Sequence, residues 1–360
     1  MSSRERWLAA VKMQPVDRLP FWPKLDAAYP RAQTGRFKGM PVDEIHRWIG
    51  SDMHVWGIPP CVRDGGVSEF VAETDGPVKR LEYRGPKGTL TAVYKWDEAS
   101  QSYHPVEFPV KTKDDIELMR EYYEGLEPQL DTDAVEKARA IQDEIGGSGV
   151  SQGGVGESPL MHFVEWIAGV ENAHYLLADT TAEVEALFDA MHAYLLRRTE
   201  IFAEHSTLDL IYFVENTSTT LISPAQYDRY CARHITEYGE ILKARDRNMV
   251  LHMCGHLKAL LPSLNRTPAD AFEAFTSAPV GNTSLEDGRS DCPDKCLIGG
   301  TNAVTWTKDA VGIIAEIESS LNALPHHRGV VVTSAGVMPP LCPPEKIKEI
   351  RDWVANYRLN

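Results

Sequence analysis

The run Met249-Val250-Leu251-His252-Met253-Cys254-Gly255 sets an imidazole and a thiol two residues apart at the end of an apolar, β-favouring stretch. Residues two apart on a strand face the same side. His252 and Cys254 are therefore expected to emerge together where Gly255 breaks the strand. A nitrogen and a sulfur donor side by side suit Zn²⁺, which can bind a thiol or oxygen substrate and raise its reactivity. A catalytic zinc takes three protein ligands and keeps one position open. Cys342, just beyond the last predicted strand, is the expected third ligand; Glu215 is the rival, because its strand end immediately precedes that of His252. The alternative for the pair is a hydrogen-bonded core histidine beside a buried thiol.

Other strand ends extend the set. Glu215 follows Ile211-Tyr212-Phe213-Val214, and a carboxylate desolvated at the edge of an apolar strand has a raised pKa that suits general-acid work. A solvated loop carboxylate, or a partner for the helix opened by Ser223-Pro224, is the competing role. Asn216, Thr301 and Asn302 are candidates to orient a substrate, and Trp56 and Tyr212, with Trp22 and Trp306, to line an aromatic pocket. Cys231 falls inside a predicted helix and reads as structural. The Cys292/Cys296 pair is spaced wider than a redox C-x-x-C and precedes its strand, away from the chemistry. Glycines at 146–156 suggest a phosphate cradle, but no G-x-G-x-x-G, Walker, G-x-S-x-G, H-E-x-x-H or EF-hand pattern occurs. A flexible loop at a binding mouth accounts for them.

Elements that position these residues follow from periodicity. Residues 3–13 have helical spacing, and Leu19-Pro20-Phe21-Trp22-Pro23 is a short buried-looking segment. Between about 66 and 110, short alternating runs are punctuated by Asp75-Gly76 and Pro86-Lys87-Gly88, the pattern of a β-meander inserted near the N-terminus. Helical stretches are expected near 113–123, 132–145, 158–178, 181–205, 223–246, 257–264, 307–323 and 344–357. Strands are expected at 148–152, Leu208–Val214, Met249–Met253, Ala271–Phe275, Cys296–Ile298 and Gly329–Thr333. Such alternation predicts an α/β chain, a (β/α)₈ TIM barrel over residues 1–360, with an open doubly wound sheet as the competitor. In a barrel, function gathers at the carboxyl ends of the strands. Glycines and polar residues recur there: Gln152 to Glu157, Glu215-Asn216-Thr217, Thr276-Ser277, Gly299 to Asn302 and Ser334-Ala335-Gly336.

With 37 basic against 52 acidic residues, a net charge of −15 and 43% hydrophobic content, the chain reads as a folded protein poorly suited to nucleic acid or anionic membranes. Neither a secretory peptide nor a bilayer-spanning run is evident. Six scattered cysteines fit reduced thiols in a cytoplasm. The oligomeric state is left open, a homo-oligomer included.

Several segments together resemble the uroporphyrinogen decarboxylase superfamily. They are Arg4-Glu5-Arg6-Trp7-Leu8-Ala9-Ala10-Val11 with Asp17-Arg18-Leu19-Pro20, then Ile222 to Tyr227, Ile298-Gly299-Gly300-Thr301-Asn302 and Pro343 to Ile347. His252-Met253-Cys254-Gly255 is similar to the zinc motif of its corrinoid methyltransferase branch. The arginine motif of true decarboxylases is replaced by Tyr29 to Arg36, which holds two arginines but not the motif. The branch's second zinc cysteine should fall near Gly336; Cys342 lies six residues later. The resemblance implies a zinc-dependent methyltransferase that moves a methyl group from a small methylated substrate, a methoxylated aromatic first, to the cobalt of a corrinoid (cobalamin) carried by a partner protein. His252, Cys254 and Cys342 would hold zinc, while Glu215 would be a ligand or proton donor. Methylation of a thiol or tetrahydrofolate, and tetrapyrrole decarboxylation, are the alternatives.

Overall fold

Apolar runs alternate with helical stretches along most of the chain, and in the computed structural model, which describes residues 1–26 and 28–359, they close into a ring of parallel strands. The eight strands are β1 (Phe21–Trp22), β2 (Met53–Val55), β3 (Gly149–Gly156), β4 (Leu210–Val214), β5 (Asn248–His252), β6 (Ala271–Phe275), β7 (Cys296–Gly299) and β8 (Val330–Thr333). Their order is β1-β8-β7-β6-β5-β4-β3-β2, and every pairing is parallel. The ladder is open only between β1 and β2. Asp52 bridges that seam: its N–H donates to the Phe21 carbonyl at 2.9 Å, and its carboxylate accepts the Phe21 N–H at 3.0 Å. Arg6 and Arg18 neutralise this fully buried carboxylate, as a buried charge requires. The architecture is a nearly closed (β/α)₈ barrel.

Strand alternation divides the core in two. Trp22, Val150, Leu210, Tyr212, Val250, Ala271, Cys296, Ile298 and Val331 point into the barrel and pack with Trp7, Ala10 and Val11 of the N-terminal helix Ser3–Val11. That helix, started by a Ser2/Glu5 capping box, plugs the amino-terminal end of the barrel: Arg4 pairs with Asp209 just before β4, and the Trp7 indole donates to the Asp52 carbonyl. Removing the fully buried Trp7 side chain should cost about 3–5 kcal/mol. The opposite strand faces carry Ile211, Phe213, Met249, Leu251 and Phe272 into the helix layer.

Two of the strands, β1 and β2, are too short to show a period in the sequence. The helix expected over 158–178 is broken into Pro159–His162, a π-helical turn at Phe163–Ile167 and Val170–Asp179. Gly169, at φ +76°, separates the last two. The 66–110 region contains a four-stranded antiparallel meander, Glu69–Asp75, Val78–Gly85, Gly88–Asp97 and Ser102–Glu107, with tight hairpins at Asp75/Val78 and Gly85/Gly88. Its buried face, including Leu81, Tyr83 and Leu90, packs beside the helix Lys113–Glu124 through the Tyr83–Tyr122 ring contact. Among the described residues no helix is long and apolar enough to cross a membrane.

Candidate active site at the carboxyl end of the barrel

The period of two on β5 carries Val250, His252 and then Cys254 to the barrel side, and the pair meets at the mouth close enough for each group to shift the other's titration. Gly255 is required here by close approach: a Cβ would lie 2.2 Å from Ser218 Cβ and 2.7 Å from the Thr217 carbonyl oxygen. Glu273, the register partner of His252 on β6, pairs with His252 Nδ1 through Oε2. Its other oxygen, Oε1, lies 3.0 Å from Lys24 Nζ. Burial opposes a charged imidazole, but Glu273 and the Cys254 contact outweigh it and push His252 up to about 9. Burial likewise opposes the Cys254 thiolate, and His252 overrides it, so that this thiol sits below its ordinary range. Glu273, fully buried, is nevertheless held well below the carboxylate range by Lys24 and His252.

Asn216, which takes a left-handed φ of +44°, brings its Oδ1 to 3.5 Å from Cys254 Sγ. Its Nδ2 donates to Glu165 Oε2 at 2.9 Å, while Glu165 Oε1 is buried without a partner. Desolvation first, then the neighbouring Glu157, pushes Glu165 up to about 8. Tyr212 lies in the throat with its hydroxyl 2.8 Å from His54 Nε2, and its ring centroid is 5.3 Å from that of Trp56. Trp56, at the end of β2, is 42% exposed.

Four expected site residues lie elsewhere. Glu215 shares the face of Ile211 and Phe213, so it points into the helix layer rather than the mouth; it is fully buried and accepts from Ser158 N at 2.6 Å and Oγ at 2.5 Å. Burial raises it to about 7 against those hydrogen bonds. Its role is to tie the loop after β3 to β4. Thr301 and Asn302 are buried and have their polar atoms taken up locally. Thr301 Oγ1 donates to the Thr333 carbonyl and accepts from the Trp306 indole, and Asn302 bonds Ser277, Ala278 and Thr305. Cys342 is carried past the mouth because the loop after β8 folds back over β1. Met338 N–H donates to the Lys24 carbonyl, Gln33 holds the Pro340 carbonyl, and Tyr29 donates to the Cys342 carbonyl. Cys342 ends in the apolar core, where burial pushes its thiol up to about 11.

Among the described residues no group of three His, Cys, Asp or Glu side chains is arranged to hold a metal. The donor set at the mouth, one imidazole and one thiol, is nevertheless the N/S chemistry that zinc takes. Glu273 on Nδ1 supplies the carboxylate that orients a metal-ligating histidine and leaves Nε2 for the metal.

A family model described as uroporphyrinogen decarboxylase (URO-D) matches residues 100–357. The chain belongs to the URO-D family. The matched region takes in β3 to β8 of the barrel, together with His252, Cys254 and Glu273. Among solved structures, a methyltransferase from Methanosarcina mazei superposes with a TM-score of 0.63 over 98% of both chains at 14% identity. A putative vitamin-B12-independent methionine synthase from Listeria monocytogenes gives a TM-score of 0.37 at 14% identity over 62% of this chain and 68% of its own. The first shows a shared fold across the whole chain. No curated protein sequence matches.

Proposed function

We propose that this URO-D family barrel is a cytoplasmic, zinc-dependent methyltransferase that moves a methyl group from a small methylated substrate to the cobalt of a corrinoid borne by a separate protein partner. A methoxylated aromatic is the leading donor. The observation that carries the reading is the inward-facing His252/Cys254 pair at the barrel mouth, with Glu273 on His252 Nδ1. Decarboxylation without a cofactor gives no reason for that trio.

His252 Nε2 and Cys254 Sγ would supply two of the metal's ligands, with Glu273 fixing the ring's orientation and Lys24 stabilising Glu273. Zinc, when bound, supplies Lewis acidity that makes the methyl-bearing oxygen a better leaving group. Asn216 positions Cys254 from the β4 side. Tyr212 and Trp56 offer rings to a substrate's aromatic body, with Tyr212 held in place by His54.

The test is metal content of the purified wild type against His252→Ala and Cys254→Ser, followed by exposure of a reduced corrinoid protein to a panel of methoxyaromatics. The expected result is near-stoichiometric zinc in the wild type, loss in both variants, and conversion of the Co(I) spectrum only with wild type. Equal zinc in all three proteins, or none, overturns the proposal. Tetrapyrrole decarboxylation that persists after chelation would assign the chain to the decarboxylating side of its family.

A further inference from the structure

A cavity of about 530 Å³ opens beside the mouth, between the end of β1, the end of β2 and the helix Val42–Ile49. Its walls are mainly apolar, and the polar side chains on it are almost all committed to partners. Asp26 accepts the backbone N–H groups of Ala28 and Tyr29 at 3.0 and 2.9 Å. Asp43 is paired with Arg47 at 2.7 Å. His46 Nδ1 is 2.8 Å from Ser51 Oγ, and His54 Nε2 bonds Tyr212. Lys24 differs. Among the described residues lining the cavity it is the one lysine or arginine. Its ammonium carries three donors, and the structure pairs it with a single side-chain acceptor, Glu273.

The same ammonium sits 5.8 Å from the Trp22 ring centroid and 5.7 Å from that of Trp56. Those distances place the protein's own cation over the aromatic faces that a quaternary ammonium ligand would need. A methylated amine would have to displace Lys24 from both rings and from Glu273. A carboxylate meets the opposite situation: uncommitted N–H donors beside an exposed indole that can stack on a planar ring.

We infer that the cavity selects an anionic methyl donor, a methoxylated aromatic carboxylate whose acid group pairs with Lys24 while its ring lies along Trp56, and that Lys24 excludes cationic methylamines. This assignment of substrate class rests on the methyl-transfer reading for its last step, but its binding component does not.

The experiment is calorimetric titration of the full-length protein, without any corrinoid protein, with three ligands of one shape and different charge. They are 4-methoxybenzoate, 4-methylanisole and 4-methoxy-N,N,N-trimethylanilinium. The wild type should bind the acid about tenfold or more tightly than the neutral ether, the scale of a charge-assisted hydrogen bond, and the cation most weakly. Lys24→Met should abolish the preference for the acid over the neutral ether, and Lys24→Arg should retain it. Trp56→Ala should weaken acid and neutral ether alike. If Lys24→Met fails to fold, the wild-type order of the three ligands decides alone. Equal affinity of wild type for acid and neutral ether, or a preference that survives in Lys24→Met, overturns the inference. A preserved preference for the acid without methyl transfer would defeat the methyltransferase proposal and leave the binding site standing. Methyl transfer with no preference among the ligands would do the reverse.

Discussion

Breaking the Lys24–Glu273 pair tests whether the mouth is built on compensated buried charge. Glu273 has no exposed surface and Lys24 keeps 14% of its side chain exposed, with Nζ and Oε1 3.0 Å apart. At that separation an effective dielectric near 20 gives about 5 kcal/mol of attraction, set against the desolvation of both groups. Removing Glu273 strands Lys24 beside the protonated His252, whereas removing Lys24 leaves Glu273 still paired with His252, so both changes should destabilise the protein, Glu273→Gln by about 3–5 kcal/mol and Lys24→Met by less. The double variant leaves neither charge stranded, because a buried glutamine is neutral and His252 can shed its proton. It should therefore cost less than the two single changes added together, by about 2–3 kcal/mol. Urea unfolding, followed by circular dichroism and tryptophan fluorescence in the presence of a chelator, measures all four proteins under conditions where no metal on His252 adds to stability. Single variants within about 1 kcal/mol of wild type, or a double variant equal to the sum, would refute the claim that these charges hold one another in place.

Three further expectations follow from the placement of single residues. Glu215→Gln keeps one acceptor for Ser158 and should cost about 1–3 kcal/mol of stability with metal content and turnover unchanged; lost turnover at unchanged stability would return Glu215 to the chemistry. Gly255→Ala forces a Cβ into Ser218 and the Thr217 carbonyl, so it should lower both melting temperature and zinc content, and a variant indistinguishable from wild type in both would show that the strand end yields freely. Burial pushes His46 down to about 4 and His54 and His234 down to about 3 from an ordinary 6.5. The folded protein keeps these rings neutral while the unfolded chain protonates them, so their contribution is present above pH 6.5 and lost as pH falls toward 3–4. Neither ring nitrogen of His234 has a hydrogen-bond partner, and His234→Phe should flatten the acid side of a calorimetric stability profile without loss at pH 7; an unaltered slope would count against it.

How far the sequence revealed this site depends on the physics of each residue. The β5 pair was legible because a strand buried on both faces is a plain apolar run, and a polar H-x-C at its end interrupts the pattern on a single face. Glu215 follows the same rule to the opposite face. The alternation that sends Tyr212 into the barrel and Phe213 outward sends Asn216 in and Glu215 out, so the face could have been counted from the strand. Glu273 carries a signal of its own: a carboxylate amid Ala271-Phe272-Glu273-Ala274-Phe275 has no solvent to face and must have a charged partner inside. Lys24 and Glu165 were beyond local pattern. One follows a two-residue strand that no periodicity can announce, and the other reaches Asn216 from a π-helical turn inside what reads as continuous helix. Spacing from the last strand puts Cys342 near the mouth, yet chain distance says nothing about a loop that Lys24, Gln33 and Tyr29 tie back across β1. The pair at the centre of the proposed site is thus readable from a strand end, whereas the residues that hold it in position come from neighbouring strands in register and from loops whose course only tertiary contacts decide.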